Sequence, residues 1–246
     1  MLYLSRIILD THNRMVQRDL ADCHKLHRRI LDAFPKAPPG ARARDHFGLL
    51  YRAEHSHVRG DQHEARLVRV LVQSAEEPNW LRLPASYFGP APDGRGNPTV
   101  RLVDAEYEQI QTGMQLVFRL RANPTKRISR NNAEQSEQWR GKRIELRREE
   151  DQLAWLVRKG QQGGFRLVEV ALRPDVLDTR VSAQEKIHGR RPASDGATPM
   201  PLSFGATLFE GRLEVTDRVT FLSTLRNGIG SGKAFGFGLL SVATAG

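Results

Sequence analysis

The stretch from Met1 to Pro35 constrains the fold most, because it commits the chain to a strand followed by a capped helix. Residues 2–9, Leu-Tyr-Leu-Ser-Arg-Ile-Ile-Leu, form a β-rich apolar run. Asp22 then stands as an N-cap before a helix from Cys23 to Phe34, which Pro35 ends. After a Pro/Gly-rich loop from Lys36 to Arg44 come a short strand around Leu49–Ala53 and a clearer one at Leu67–Gln73, separated by the polar, His-rich loop His55–Glu64. The segment from Pro78 to Gly96 is rich in proline and glycine and has room for one short helical turn near Trp80. A strand follows at Gln115–Arg121, with Leu116, Phe118 and Leu120 on one face. The order β-α-β-β-(poor helix)-β approximates a ferredoxin-like unit and predicts a first domain over 1–121.

The remaining length of the 246-residue chain accommodates a second domain of roughly 100 residues. A charged segment, 122–148, with Asn123-Pro124 as breaker, is expected to connect the two. Glu149–Gln162 reads as a helix with Leu153, Leu156 and Val157 on one face and Gly163-Gly164 as its stop. Phe165–Leu172 is expected as a strand, Val181–Met200 as a long loop or hairpin insertion, and Ala206–Val215, Arg218–Arg226 and Ala234–Ala243 as strand, helix and strand. The second domain is placed at 149–246.

Cys23 is the lone cysteine, so neither an intrachain disulfide nor a Cys-based zinc cluster can be built from this sequence. No apolar run approaches the roughly 20 residues needed to span a bilayer, and Arg6 interrupts an N-terminal stretch that lacks a basic leader. A cytoplasmic protein with no membrane partner is expected. The net charge of +10 suggests a polyanionic partner, nucleic acid first, because each Lys or Arg set against a phosphate releases condensed counterions.

His24 and His27, at i,i+3 near the start of the first helix, lie on neighbouring parts of one face beside the stripe Leu26, Ile30, Ala33 and Phe34. An imidazole titrating near pH 6.5 suits removal of a proton from a ribose 2′-hydroxyl or its return to a departing 5′-oxygen. The pair also fits an ordinary amphipathic helix. His12, Cys23, His24 and His27 are close in sequence but match no recognised zinc spacing, so neither metal nor cofactor is expected. The run Gly228-Ile-Gly230-Ser-Gly232-Lys233-Ala-Phe235-Gly236-Phe-Gly238 superficially resembles a P-loop. Asn227 occupies the first glycine position, and Ala234 supplies no hydroxyl for magnesium. Two readings stay open: backbone that approaches a phosphate chain, aided by Lys233, or a tight turn packed on a neighbouring strand. Basic clusters crowd the second half: Lys126-Arg127, Arg130, Arg140, Lys142-Arg143, Arg147-Arg148, Arg158-Lys159, Lys186 and Arg190-Arg191. Each alone fits a solvated face; together they favour a polyanion.

Arg18-Asp-Leu-Ala21, His27-Arg28, Leu120-Arg-Ala-Asn-Pro124-Thr-Lys126-Arg127, Ala154-Trp155-Leu156, Gly163-Gly164-Phe165, Phe209-Glu-Gly-Arg-Leu-Glu-Val215 and the glycine loop occur in an order that resembles the CasE family. These are the CRISPR-repeat endoribonucleases of type I-E Cascade, and the resemblance covers essentially the whole chain. It implies an α+β protein of two tandem ferredoxin-like (RRM-like) domains that binds a repeat stem-loop and cuts on its 3′ side. The implied products include a 2′,3′-cyclic phosphate, no divalent ion is required, and the mature guide RNA stays bound beside other Cascade subunits. His27 corresponds to the family's catalytic histidine, and His24 occupies a position where some relatives have an assisting Tyr. Arg28, Arg158 and Lys159 are implied to contact RNA, as are Lys186, Arg190 and Arg191 in a basic hairpin, and Lys233 with Gly228, Gly230, Gly232, Gly236 and Gly238. The alternatives are a non-catalytic RNA-binding subunit of such a complex and a metal-dependent nuclease. The latter needs clustered carboxylates, whereas Glu149, Glu150 and Asp151 suit a helix N-terminus.

Overall fold

The computed structural model describes residues 1–59, 64–127, 143–192 and 198–244. The first unit opens with β1 (Tyr3–Leu9), then α1 (Arg14–Leu20) and α2 (Cys23–Leu31), each started by a side-chain cap: Asn13 accepts from the Met15 amide and Asp22 from the His24 amide. A short α3 (Ala43–His46) leads into the hairpin β2 (Leu50–Arg59) and β3 (Glu64–Ser74), and β4 (Thr99–Leu102) closes a four-stranded antiparallel sheet of order β2-β3-β1-β4. Val68, Val70 and Val72 alternate onto the face that carries the helices, where they join Ile7, Leu9, Leu26, Ile30 and Phe34 in the first core.

Two 3₁₀ turns, Trp80–Arg82 and Ala85–Tyr87, stand where a regular second helix would cross the sheet. Proline forbids a longer helix here, and two buried aromatics anchor the crossover. The Trp80 indole donates to Ser5 Oγ at 3.1 Å, and the Tyr87 hydroxyl donates to Asp19 Oδ2 at 3.1 Å.

The strand expected to close this sheet is reassigned. β5 (Gln115–Ala122) lies in the second sheet, because Leu116, Phe118, Leu120 and Ala122 pack with Trp155, Leu156, Phe209 and Phe221 in a separate core. The change of sheet therefore falls between Leu102 and Gln115, with the short α4 (Asp104–Glu108) on the way, and not after position 121. Within the expected connecting segment, β6 (Thr125–Arg127) pairs with β7 (Arg143–Glu145), while Arg130, Arg140 and Lys142 lie outside the described residues.

The second unit continues with α5 (Glu149–Gln162), β8 (Phe165–Leu167), the small pair β9 (Glu169–Val170) and β10 (Arg173–Leu177), β11 (Thr179–Arg191), β12 (Met200–Val215), α6 (Arg218–Asn227) and β13 (Leu240–Thr244). Its order β11-β12-β5-β13, with β8 also paired to β12, repeats the first sheet's arrangement, so the chain is two tandem ferredoxin-like units. Between the loop and hairpin alternatives for 181–200, the structure has a hairpin: β11 pairs with β12, with a register shift between Gln184 and Ile187. The strand expected to begin at Ala234 begins instead at Leu240. Gly236 and Gly238 take φ of 84° and 88°, incompatible with extended backbone, and Lys233–Phe235 forms a 3₁₀ turn.

The two units are joined through the first sheet's helix-free face. Arg52, only 2% exposed, donates from Nη1 to the carbonyls of Arg119 and Leu239, both at 3.1 Å, and from Nε to Glu54 at 2.8 Å. The Gln73 amide donates to the Leu225 carbonyl of α6 at 2.9 Å.

Candidate active site

The site is assembled around α2. Cys23, Leu26 and Ile30 bury its inner stripe, which leaves His24 and His27 half-buried on its flank. The His27 ring stacks on Tyr51 of β2 (centroids 6.3 Å apart, planes within 14°) and meets the edge of Phe235 from the glycine loop, also at 6.3 Å. Its Nδ1 is buried with no hydrogen-bond partner among the described residues. Burial, reinforced by the positive charges of His24 and Arg44, lowers the His27 pKa to about 4. The imidazole is therefore neutral at pH 7 and competent to accept a proton.

Tyr51 holds this arrangement across the two units. Its hydroxyl donates to the Ala234 carbonyl at 3.2 Å, and a Cβ at Gly236 would come within 3.1 Å of its ring. The glycine loop thus satisfies the packed-turn reading, and it also lines a polar cleft of about 540 Å³. Gly228, Gly230, Ser231 and Lys233 line that cleft together with Lys159, Arg127 and Arg143. Lys233 Nζ donates to the Asn227 carbonyl at 2.7 Å, and burial, with Arg44 and Lys159 nearby and only Asp45 opposing, lowers its pKa. Cations gathered with so little compensation make an anion site.

The basic hairpin reaches the same helix. A Cβ on Gly189 of β11 would lie 2.6 Å from Cys23 Sγ and 2.8 Å from Asp22 Oδ1, and the Arg190 amide donates to that carboxylate oxygen at 3.3 Å. Asp22 thus caps α2 and latches the hairpin to it. Lys186, Arg190 and Arg191 are exposed along β11, and Lys186 pairs with Glu145 at 3.5 Å.

Two residues singled out from the sequence stand apart. Arg28 lines a separate shallow cleft of about 320 Å³ with Leu31, Phe34 and Phe47. Arg158 is exposed on α5, outside the set lining the polar cleft that Lys159 joins. Among the described residues, no three His, Cys, Asp or Glu side chains converge as a metal site, and Glu149, Glu150 and Asp151 occupy the first turn of α5. No helix among the described residues is long and apolar enough to cross a membrane. Sequence reasoning missed Arg44 and Tyr51. Tyr51 lies in a strand it anticipated, but nothing local marks that ring as the partner of His27.

A family profile described as "CRISPR associated protein" matches residues 2–244. The chain is 36% identical over 245 residues to the CRISPR-associated endoribonuclease Cse3 of Thermus thermophilus, covering 98% of this chain and 100% of that one. It is 29% identical over 248 residues to the CRISPR system Cascade subunit CasE of Escherichia coli, covering 98% and 99%. Among solved structures, it resembles the endoribonuclease Cse3 bound to a 19-nucleotide RNA, with a TM-score of 0.73, 33% identity and coverage of 98% and 99%.

Proposed function

The chain belongs to the CRISPR-associated protein family, with Cse3 and CasE among its relatives, and from that premise we propose that it is the endoribonuclease that processes CRISPR repeat RNA. It binds the repeat stem-loop, cuts on its 3′ side without a metal ion, and holds the product as a Cascade subunit. The observation that carries this reading is a neutral imidazole, His27, with Arg44 near it, walled by Tyr51 and by Phe235, which shares a turn with Lys233 of the cation-lined cleft.

His27 takes the proton from the ribose 2′-hydroxyl. The 2′-oxygen then bonds to the adjacent phosphorus, the bond from phosphorus to the 5′-oxygen breaks, and that oxygen leaves with a proton delivered from the His24 side. The upstream fragment ends in a 2′,3′-cyclic phosphate. Lys233 and Lys159 stabilise the charge that gathers on the phosphoryl oxygens, and the docked hairpin, through Lys186, Arg190 and Arg191, sets the stem in place. Recognition is mainly by shape and phosphate position, as expected for an A-form duplex.

The test is cleavage of a panel of short repeat hairpins in excess EDTA, with a parallel binding assay. Wild type is expected to cut and to leave the cyclic end, and His27→Ala to lose about 10²–10⁴-fold in rate while keeping affinity. Binding without cutting by the wild type would replace this reading with that of a non-catalytic RNA-binding subunit.

A further inference from the structure

The C-terminal end of α6 is held by a side chain from each unit, and the glycine loop starts from it. A helix leaves its last four carbonyls without intrahelical partners, and in α6 these belong to Thr224, Leu225, Arg226 and Asn227. The Gly228 amide donates to the Thr224 carbonyl at 2.8 Å. Gln73 of β3 donates from Nε2 to the carbonyls of Leu225 and Arg226 at 2.9 and 3.3 Å, and Lys233 donates to that of Asn227 at 2.7 Å. Gln73 is fully buried, and its Oε1 has no hydrogen-bond partner among the described residues. Two carbonyls against one end of the amide fix that end as the donor, since the reverse orientation would set oxygen against oxygen. An oxygen left unsatisfied in the interior destabilises the fold, and an apolar side chain would avoid it, so what the amide donates explains this residue better than packing does.

The residue opposite Gln73 completes the seat. Leu50 of β2 is its cross-strand partner, and a Cβ at Gly228 would come within 2.8 Å of Leu50 Cδ1 and 2.7 Å of the Gly238 carbonyl oxygen. Gly228, with φ of 72°, turns the chain out of α6 into the loop. One cross-strand pair of the first sheet therefore sets where the glycine loop begins. Lys233 stands on that loop. Its ammonium has three donors, of which one goes to the Asn227 carbonyl and the others remain for the polar cleft that it lines.

Resting on the reading of the chain as a repeat-RNA endoribonuclease, we propose that Gln73 is a positioning residue for the cleavage: by holding the α6 carbonyls it fixes the start of the glycine loop and sets Lys233 against the phosphate. Gln73 itself touches neither the RNA nor the reacting atoms. Without its donors, the Leu225 and Arg226 carbonyls are left as an uncompensated negative helix end, which competes with the phosphate for the Lys233 ammonium. The loop shifts with the lysine, and the charge that gathers on the phosphoryl oxygens loses a placed cation. The unit that carries His27 in this way also sets the cation that the other unit supplies.

The experiment is a double-mutant cycle on Gln73→Met and Lys233→Ala. It is read by single-turnover cleavage, in EDTA, of a hairpin that wild type cuts, and by amide hydrogen exchange of the RNA-free proteins. Gln73→Met keeps the length of the side chain and removes its donors. It is expected to lower the rate at saturating protein about tenfold with the half-saturation concentration nearly unchanged, and to have no further effect in the Lys233→Ala background. Exchange is expected to quicken at the amides of Ile229, Phe235 and Gly238, which are bonded within the loop or to Arg121, and to keep the wild-type rate across β1 and α2. An equal fold-loss in both backgrounds overturns the proposal, because Gln73 would then act on the fold at large. An unchanged rate, or unaltered exchange in the glycine loop, overturns it too, and each leaves the endoribonuclease reading intact. A wild type that cuts no hairpin overturns that reading together with the positioning role that rests on it. Gln73→Asn, which keeps a donor but withdraws it by one methylene, replaces Gln73→Met if the latter fails to fold, with smaller losses of the same kind expected.

Discussion

The ionisation of His27 gives the sharpest quantitative expectation. Burial and the neighbouring charges of His24 and Arg44 hold its pKa at about 4 in the folded protein, against 6.5 for an unperturbed imidazole. At about 1.4 kcal/mol per pKa unit, that gap corresponds to roughly 3 kcal/mol favouring the neutral form in the native state. Above pH 6.5 the imidazole is neutral in both folded and unfolded chains and contributes the same to each. As pH falls below 6.5 the unfolded chain takes up the proton first, so stability declines with pH until the folded imidazole also titrates near 4. His27→Gln removes this dependence. Urea unfolding of both proteins at pH 7, 6, 5 and 4 should show wild type losing about 3 kcal/mol more than His27→Gln between the two ends, most of it below pH 6. The acid limb of kcat/KM, which reports the free enzyme, should likewise fall near pH 4. Parallel stability profiles for the two proteins, or an acid limb at 6.5, would refute the claim that packing against Tyr51 and Phe235 sets the protonation state.

Two further expectations follow from the junctions around α2. Gly189→Ala drives a methyl group into Cys23 Sγ and Asp22 Oδ1 and lifts the basic hairpin off the helix; single-turnover cleavage should fall on the order of tenfold, as misplacement of a positioned reactant predicts, RNA affinity should fall with it because the hairpin carries Lys186, Arg190 and Arg191, and Cys23→Ala should restore part of both losses. Arg52→Met deprives the carbonyls of Arg119 and Leu239 of their donor and leaves Glu54 with Arg119 as its remaining cationic partner, so thermal or urea unfolding should show a destabilisation of about 1–3 kcal/mol, the cost of leaving buried acceptors unsatisfied.

The elements with strong local signals were legible in the sequence. Asp22 before an amphipathic run announces α2, and Gly163-Gly164 ends α5, because caps and stops act over a few residues. The alternation in Gln115–Ala122 announces a strand but not its partner: its register with β12 and β13 is fixed by contacts about 90 and 120 residues away. Its place in the first sheet belongs to β4, four half-buried or exposed residues with little apolar pattern to read. The same limit governs the site. His27, Lys233 and the glycine loop carry their chemistry in their residue types, whereas Tyr51 looks like an ordinary strand residue until the fold sets it against His27.

Neither unit contains the site by itself. The first supplies His24, His27, Arg44 and Tyr51; the second supplies Lys159, Lys233 and Phe235, and with Gly189 it brings the basic hairpin onto the cap of α2. The burial that lowers the His27 pKa is shared between the units, since Tyr51 comes from the first and the ring of Phe235 from the far end of the chain. Packing the second unit against the first unit's helix-free face, with Arg52 and Gln73 spending their donors on its backbone, thus sets the surroundings of His27 as well as the surface proposed to position RNA. Catalysis and stem recognition share one structural requirement, the relative placement of the two sheets. A substitution that loosens Arg52 should therefore raise the pKa of His27 and weaken the hairpin's hold on α2 together.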